Sequence, residues 1–113
     1  MTDTQRSLAL AEATNYTDVD AFVSDLLLSD AFIPADDPAA EPDLSQADEL
    51  RRLWTVSAAP FRALLNACGL TAREASTRYC INLRTVYHWL ADERPCPLYV
   101  RLMLAELTGY VKR

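Results

Sequence analysis

The chain has 113 residues, half of them apolar, with two Gly, six Pro, three Cys, one His and a net charge of −5. That length holds one domain of about five helices, or a smaller domain with a tail. Two glycines are too few to turn an all-β chain or to build a phosphate-cradling loop, and no run approaches the ~18 apolar residues of a membrane span.

The charge is unevenly divided. Residues 1–50 carry twelve Asp or Glu against Arg6 alone, a net −11, whereas residues 51–113 carry ten Lys or Arg against four acids, a net +6. A basic half supplies the attraction to phosphate on which non-specific nucleic-acid affinity rests. The acidic half must then stay clear of nucleic acid or regulate access to it.

Thr4 to Asn15 is rich in Ala and Leu and predicts a short helix. The acidic N-terminus ahead of Leu8–Leu10 argues against a signal peptide, and a cytoplasmic protein is expected. Thr17 with Asp20 suggests a cap for a second helix through Ser29. In it Val19, Phe22, Val23, Leu26 and Leu27 form an apolar face, opposite Asp18, Asp25 and Asp30. Three roles fit that face: ordinary core against the C-terminal helices, a dimer or partner-protein interface, or an acidic mimic of DNA. Residues 33–43, IPADDPAAEPD, hold three prolines and four acids, which predicts a linker. The organisation expected is an acidic helical arm and linker over 1–43 and a helical domain over 44–113.

Ser45 and Asp48 suggest the next cap, ahead of a helix through Leu50, Leu53 and Trp54. Ser57 can cap a further helix with Pro60 in its first turn, Phe61, Leu64, Leu65 and Cys68 as its buried stripe and Gly69 as its end. Thr71 and Glu74 form a capping box for a short helix that turns Ala75 and Tyr79 inward. Cys80, Ile81 and Asn82 make a turn, with Ile81 in the core and Asn82 capping a second helix. There Val86, Trp89 and Leu90 fall at i, i+3 and i+4, and Arg84, Tyr87, His88 and Ala91 project on the other side. Asp92 to Cys96 is a polar loop. Pro97 suits the first position of a last helix whose Val100, Met103, Leu104 and Leu107 fill the core, stopped by Gly109.

A helix pair whose second member presents Asn, Arg, Tyr and His is what major-groove reading requires, since Arg can bond guanine bidentately and Asn adenine. Enzyme chemistry is not expected: one histidine and two glycines leave little for a base, a nucleophile or a phosphate loop, and no Asp or Glu stands one turn from His88 to orient it. Cys68, Cys80 and Cys96 have no paired spacing and read as reduced thiols. Cys80, His88 and Cys96, each separated by seven residues, do not make a metal set, so neither metal nor cofactor is expected.

The segment GLTAREASTRYCINLRTVYHWL resembles the helix-turn-helix of the Cro-like (XRE-type) repressor family, with Ala75, Ser76, Tyr79, Ile81 and Val86 at the family's patterned positions. Two residues depart from the pattern: Ser76 where Ala is usual, and Cys80 where Gly is usual, which makes a left-handed backbone there less comfortable. With ADERPCPLYVRLMLAEL, the resemblance to small helix-turn-helix proteins of bacterial plasmids, phages and integrated elements covers roughly residues 58–107. It implies an all-α bundle that binds double-stranded DNA as a homodimer and represses transcription, with no cofactor. Asn82, Leu83, Arg84, Tyr87 and His88 become base-reading candidates, Arg84 foremost. Thr71, Arg73, Arg78, Thr85 and Arg94 become phosphate contacts. The alternative from another class is a protein-interaction module, antitoxin-like or adaptor, whose acidic N-terminal helix binds a partner protein.

Overall fold

A computed structural model of the chain describes residues 1–33, 36, 41 and 43–112. Most of the expected linker, residues 34, 35, 37–40 and 42, lies outside the described residues. Every regular element among those described is helical. In order these are α1 (Asp3–Glu12), α2 (Val19–Leu27), α3 (Ala47–Ser57), α4 (Phe61–Cys68), α5 (Ala72–Tyr79), α6 (Leu83–Leu90) and α7 (Leu98–Leu107), with 3-10 turns at Ala13–Asn15 and Leu44–Gln46. The all-α class expected from the sequence is the class the chain adopts. Among the described residues no helix is long and apolar enough to cross a membrane.

The chain divides into two compact units, Met1–Ala58 and Ala59–Arg113. In the first, α1 opens with a capping box: the Thr2 hydroxyl accepts the Gln5 N–H at 3.1 Å and the Gln5 amide oxygen accepts the Thr2 N–H at 2.8 Å. The cap of α2 is Asp18, whose carboxylate accepts the Asp20 N–H at 2.9 Å; Thr17, the expected cap, lies one residue too early. Both α1 and α2 pack on α3. Phe22, Val23, Leu26 and Leu27 of α2, Ala9 and Leu10 of α1 and Leu50, Leu53 and Val56 of α3 are all buried. Polar ties fix the packing, since the Trp54 indole N–H donates to the Tyr16 carbonyl at 3.1 Å and the Ser57 hydroxyl to the Leu10 carbonyl at 2.7 Å.

Two expectations about this region are corrected by side-chain chemistry. The Asp43 carboxylate accepts the Ser45 N–H and hydroxyl and starts the 3-10 turn, so α3 follows from Ala47 without the Ser45 cap. Ser57 ends α3 instead of capping α4. α3 buries its apolar stripe with α1 and α2 within the first unit, which ends at Ala58.

The second unit positions the helix pair. Its α4 begins after Pro60, which takes the N-cap place without a side-chain bond. Phe61, Leu64 and Leu65 are buried, and Phe61 meets Trp89 of α6 edge-on at 5.4 Å. Gly69 ends α4 in the left-handed region (φ 72°), and the Leu70 N–H returns to the Leu65 carbonyl at 3.0 Å. In α7, Val100, Leu104 and Ala105 are buried, and so is Arg101, whose guanidinium donates to the Ala59 carbonyl. Leu107, expected in the core, is 53% exposed, and Met103 is half-buried. The inward line of α7 runs through residues 100, 101, 104 and 105, which leaves Leu98, Tyr99 and Leu107 outside; Val111, beyond the helix, is buried as well.

Candidate nucleic-acid interface

The helix pair α5–α6 is held by local bonds that the sequence can account for one at a time. The Thr71 hydroxyl accepts the Glu74 N–H and the Glu74 carboxylate accepts the Thr71 N–H, each at 3.1 Å, which completes the predicted capping box. These bonds hold the Glu74 carboxyl below the usual carboxylate range, with Arg78 at 3.7 Å adding a smaller pull. Cys80 adopts the left-handed conformation that the helix end demands (φ 56°, ψ 38°) despite its side chain. Across it the Ile81 N–H donates to the Ser76 carbonyl at 3.1 Å, and the Ser76 hydroxyl donates to the Ile81 carbonyl at 2.6 Å. Asn82 then caps α6, its side-chain oxygen accepting the Arg84 N–H at 2.9 Å.

On α6 only Val86 is fully buried. Trp89 and Leu90 are half-buried on the inner side, and so is Ile81, which was expected deeper in the core. Asn82, Arg84 and Tyr87 are exposed, and Leu83, Thr85 and His88 are half-buried. Arg84 and His88, four apart, share the outward side one turn from each other. The cap bond from the Arg84 N–H uses one lone pair of the Asn82 oxygen and leaves the other lone pair and the NH2 group.

His88 differs from expectation. A carboxylate does reach it: Nδ1 lies 2.6 Å from a Glu93 carboxylate oxygen. The chain is turned back by Asp92 in the left-handed region (φ 61°), with the Asp92 N–H bonding the Trp89 carbonyl and the Glu93 N–H the His88 carbonyl. This is a Schellman end with Asp where Gly is usual. Spacing along the helix alone could not reveal it, because the partner comes from beyond the helix end.

The phosphate candidates separate into two sorts. Arg73, Arg78 and Arg94 are exposed and ring the helix pair, and Arg73 and Arg94 have no ion pair or hydrogen bond among the described residues. Thr71 is different: its N–H donates to the Glu74 carboxylate and its hydroxyl oxygen accepts the Glu74 N–H, which leaves the O–H to donate, beside a negative charge at the helix start where a phosphate would approach. Arg62 of α4, off the apolar stripe and not among the expected contacts, lines an open groove of about 540 Å³ together with Asn66, Thr71, Tyr87 and Leu90. The available signal was its position, a cation on the outer side of the helix preceding the pair.

Of the stripe expected as core or as a dimer or partner interface, Phe22, Val23, Leu26 and Leu27 are buried in the first unit and Val19 is half-buried. The second unit holds eight Lys or Arg against four acids, a net +4, and the first a net −9. One of those eight, Arg101, points inward, and burial draws its pKa below the usual arginine range. All three cysteines are free, and burial pushes the Cys96 thiol up to about 12. Among the described residues no group of three His, Cys, Asp or Glu could hold a metal ion. No family model, curated protein or solved structure matches the chain.

Proposed function

We propose that the chain binds double-stranded DNA sequence-specifically through α6 and acts as a transcriptional repressor, the role that its resemblance to Cro-like repressors implies. The observation that carries this reading is the α5–turn–α6 pair. Val86 is fully buried and both helix starts are capped, while Arg84, Tyr87 and His88 are left on the outward side. A helix so presented suits the major groove, where an Arg fork in the first turn bonds guanine O6 and N7. Arg62, Arg73, Arg78 and Arg94 would contact phosphates and set the register. Two copies would place two α6 helices in successive major grooves about 34 Å apart.

The test is selection from a random duplex library by the full chain. The reading requires enrichment of one sequence by the wild type and relaxed preference at one guanine in Arg84→Ala. Absence of enrichment would overturn it.

A second reading, a protein-interaction module, draws on a different surface from the α2 helix first suggested for it. On α7 the large apolar side chains Tyr99 and Leu107, eight positions apart on neighbouring sides of the helix, are exposed. Sedimentation of the wild type and of Leu107→Glu distinguishes the two uses of that surface. Loss of self-association in the variant makes it the pairing surface of a DNA reader. A monomeric wild type without DNA affinity favours the interaction module.

A further inference from the structure

Building on the DNA-reading proposal, we infer that Glu93 is a positioning residue that makes His88 a hydrogen-bond acceptor toward DNA, so that it selects a base carrying an exocyclic amine in the major groove. The argument begins with the 2.6 Å contact between His88 Nδ1 and the Glu93 carboxylate. An ionised carboxylate has no proton to give, so this bond requires the proton on Nδ1. In the neutral imidazole the other nitrogen, Nε2, is then unprotonated and can only accept.

Nε2 is also the nitrogen left for an outside partner. Among the described residues it bonds nothing, and it is not one of the buried, unpartnered polar atoms. His88 lies one turn beyond Arg84 on the same outward side of α6. The contact is built into the backbone, because the left-handed Asp92 turns the chain and the Glu93 N–H closes on the His88 carbonyl at 3.0 Å. Glu93 is thereby returned to the ring of a residue five positions earlier.

The base edges supply the selectivity. In the major groove only adenine N6 and cytosine N4 are amine donors, whereas guanine offers acceptors and thymine an acceptor and a methyl group. An acceptor at Nε2 therefore matches adenine or cytosine. It meets guanine O6 or N7 lone pair to lone pair. Arg84, a donor only, matches guanine, so the two outward residues would read bases of opposite character one helical turn apart.

The chain has a single histidine, which makes the direct test unambiguous. Nitrogen-15 NMR of the full chain, at about pH 8 so that the neutral ring is observed, should show the Nδ1–H tautomer in the wild type and the Nε2–H tautomer gaining in Glu93→Ala. Asp92→Asn removes a neighbouring charge while keeping a residue that tolerates the left-handed turn, and should leave the wild-type tautomer. In random-duplex selection the wild type and Asp92→Asn should share a preference for adenine or cytosine at one position. Glu93→Ala should lose that preference by about tenfold, a size set by a single base contact. Asp92→Asn separates this from the general rise in affinity that removing a negative charge brings. An Nε2–H tautomer in the wild type, or identical base preferences in wild type and Glu93→Ala, overturns the inference and leaves DNA binding standing. No enrichment by the wild type overturns both.

Discussion

Ser76 and Ile81 grip each other twice across the turn of the helix pair: the Ile81 N–H donates to the Ser76 carbonyl at 3.1 Å, and the Ser76 hydroxyl donates to the Ile81 carbonyl at 2.6 Å. Between them Cys80 holds a left-handed backbone that costs a residue with a side chain about 1–2 kcal/mol. The two residues that depart from the usual helix-turn-helix pattern are thus mechanically connected, since the hydroxyl at 76 braces the turn that the side chain at 80 strains. We predict that Cys80→Gly stabilises the second unit by roughly 1 kcal/mol and that Ser76→Ala destabilises it by roughly 0.5–1.5 kcal/mol. Residue-resolved hydrogen exchange of α5 and α6 measures both, and equal protection in the wild type and both variants would contradict them.

The α2 stripe makes a different kind of prediction. Leu26 is 5% exposed, buried in the first unit, so Leu26→Asp places an unpaired charge in a closed core. We expect loss of the folded signals of residues 1–58 rather than dissociation of an otherwise intact oligomer. A variant that keeps those signals and changes only its oligomeric state would restore the interface role.

These two cases show which parts of the fold were legible in the sequence. The Thr71–Glu74 capping box, Gly69 and the apolar spacing of α2, α4 and α6 can be read because each depends on residues within one or two turns, whereas the caps expected at Thr17 and Ser45 fall to the nearby carboxylates of Asp18 and Asp43. The placement of α3 could not be read that way. Leu50, Leu53 and Val56 specify a buried side but not the partner, and the bonds that settle it, Trp54 to Tyr16 and Ser57 to Leu10, span 38 and 47 residues. Similarly, an arginine on the inner line of α7 became legible only once the Ala59 carbonyl was there to accept from it. At the candidate site the outward set Arg84, Tyr87 and His88 followed from helical period. The Glu93 contact depended on a left-handed Asp92 that spacing does not reveal.

Acid should weaken the start of α5. The bonds with Thr71 hold the folded pKa of Glu74 below its ordinary value of 4.5, so the unfolded chain takes up a proton more readily than the folded one. The resulting stabilisation is complete above about 4.5 and is lost as pH falls through the lower folded value. Amide protection at Ala75, one turn into α5, should therefore decline on acidification. Glu74→Gln, which carries no titrating group there, should show a smaller decline. Identical acid profiles would remove Glu74 from the account.

Arg84 and Arg62 should differ in kind. Arg84→Ala is expected to cost about 1–3 kcal/mol on the selected duplex and little on an unrelated one. Arg62→Ala should weaken both alike and reduce the dependence of log affinity on log salt by about one unit. Titrations of both variants at several salt concentrations measure this, and a uniform loss in Arg84→Ala would move that residue to the phosphate group.

The most direct measurement is fluorescence anisotropy of the full chain with the duplex immediately upstream of its own gene and with a scrambled duplex, over about 50–200 mM salt. If α6 reads sequence and the protein represses its own promoter, the upstream duplex remains the tighter ligand at the highest salt while scrambled binding disappears. Equal binding to both duplexes, abolished together by salt, would contradict recognition of that promoter and reduce the basic unit to a phosphate-attracting surface.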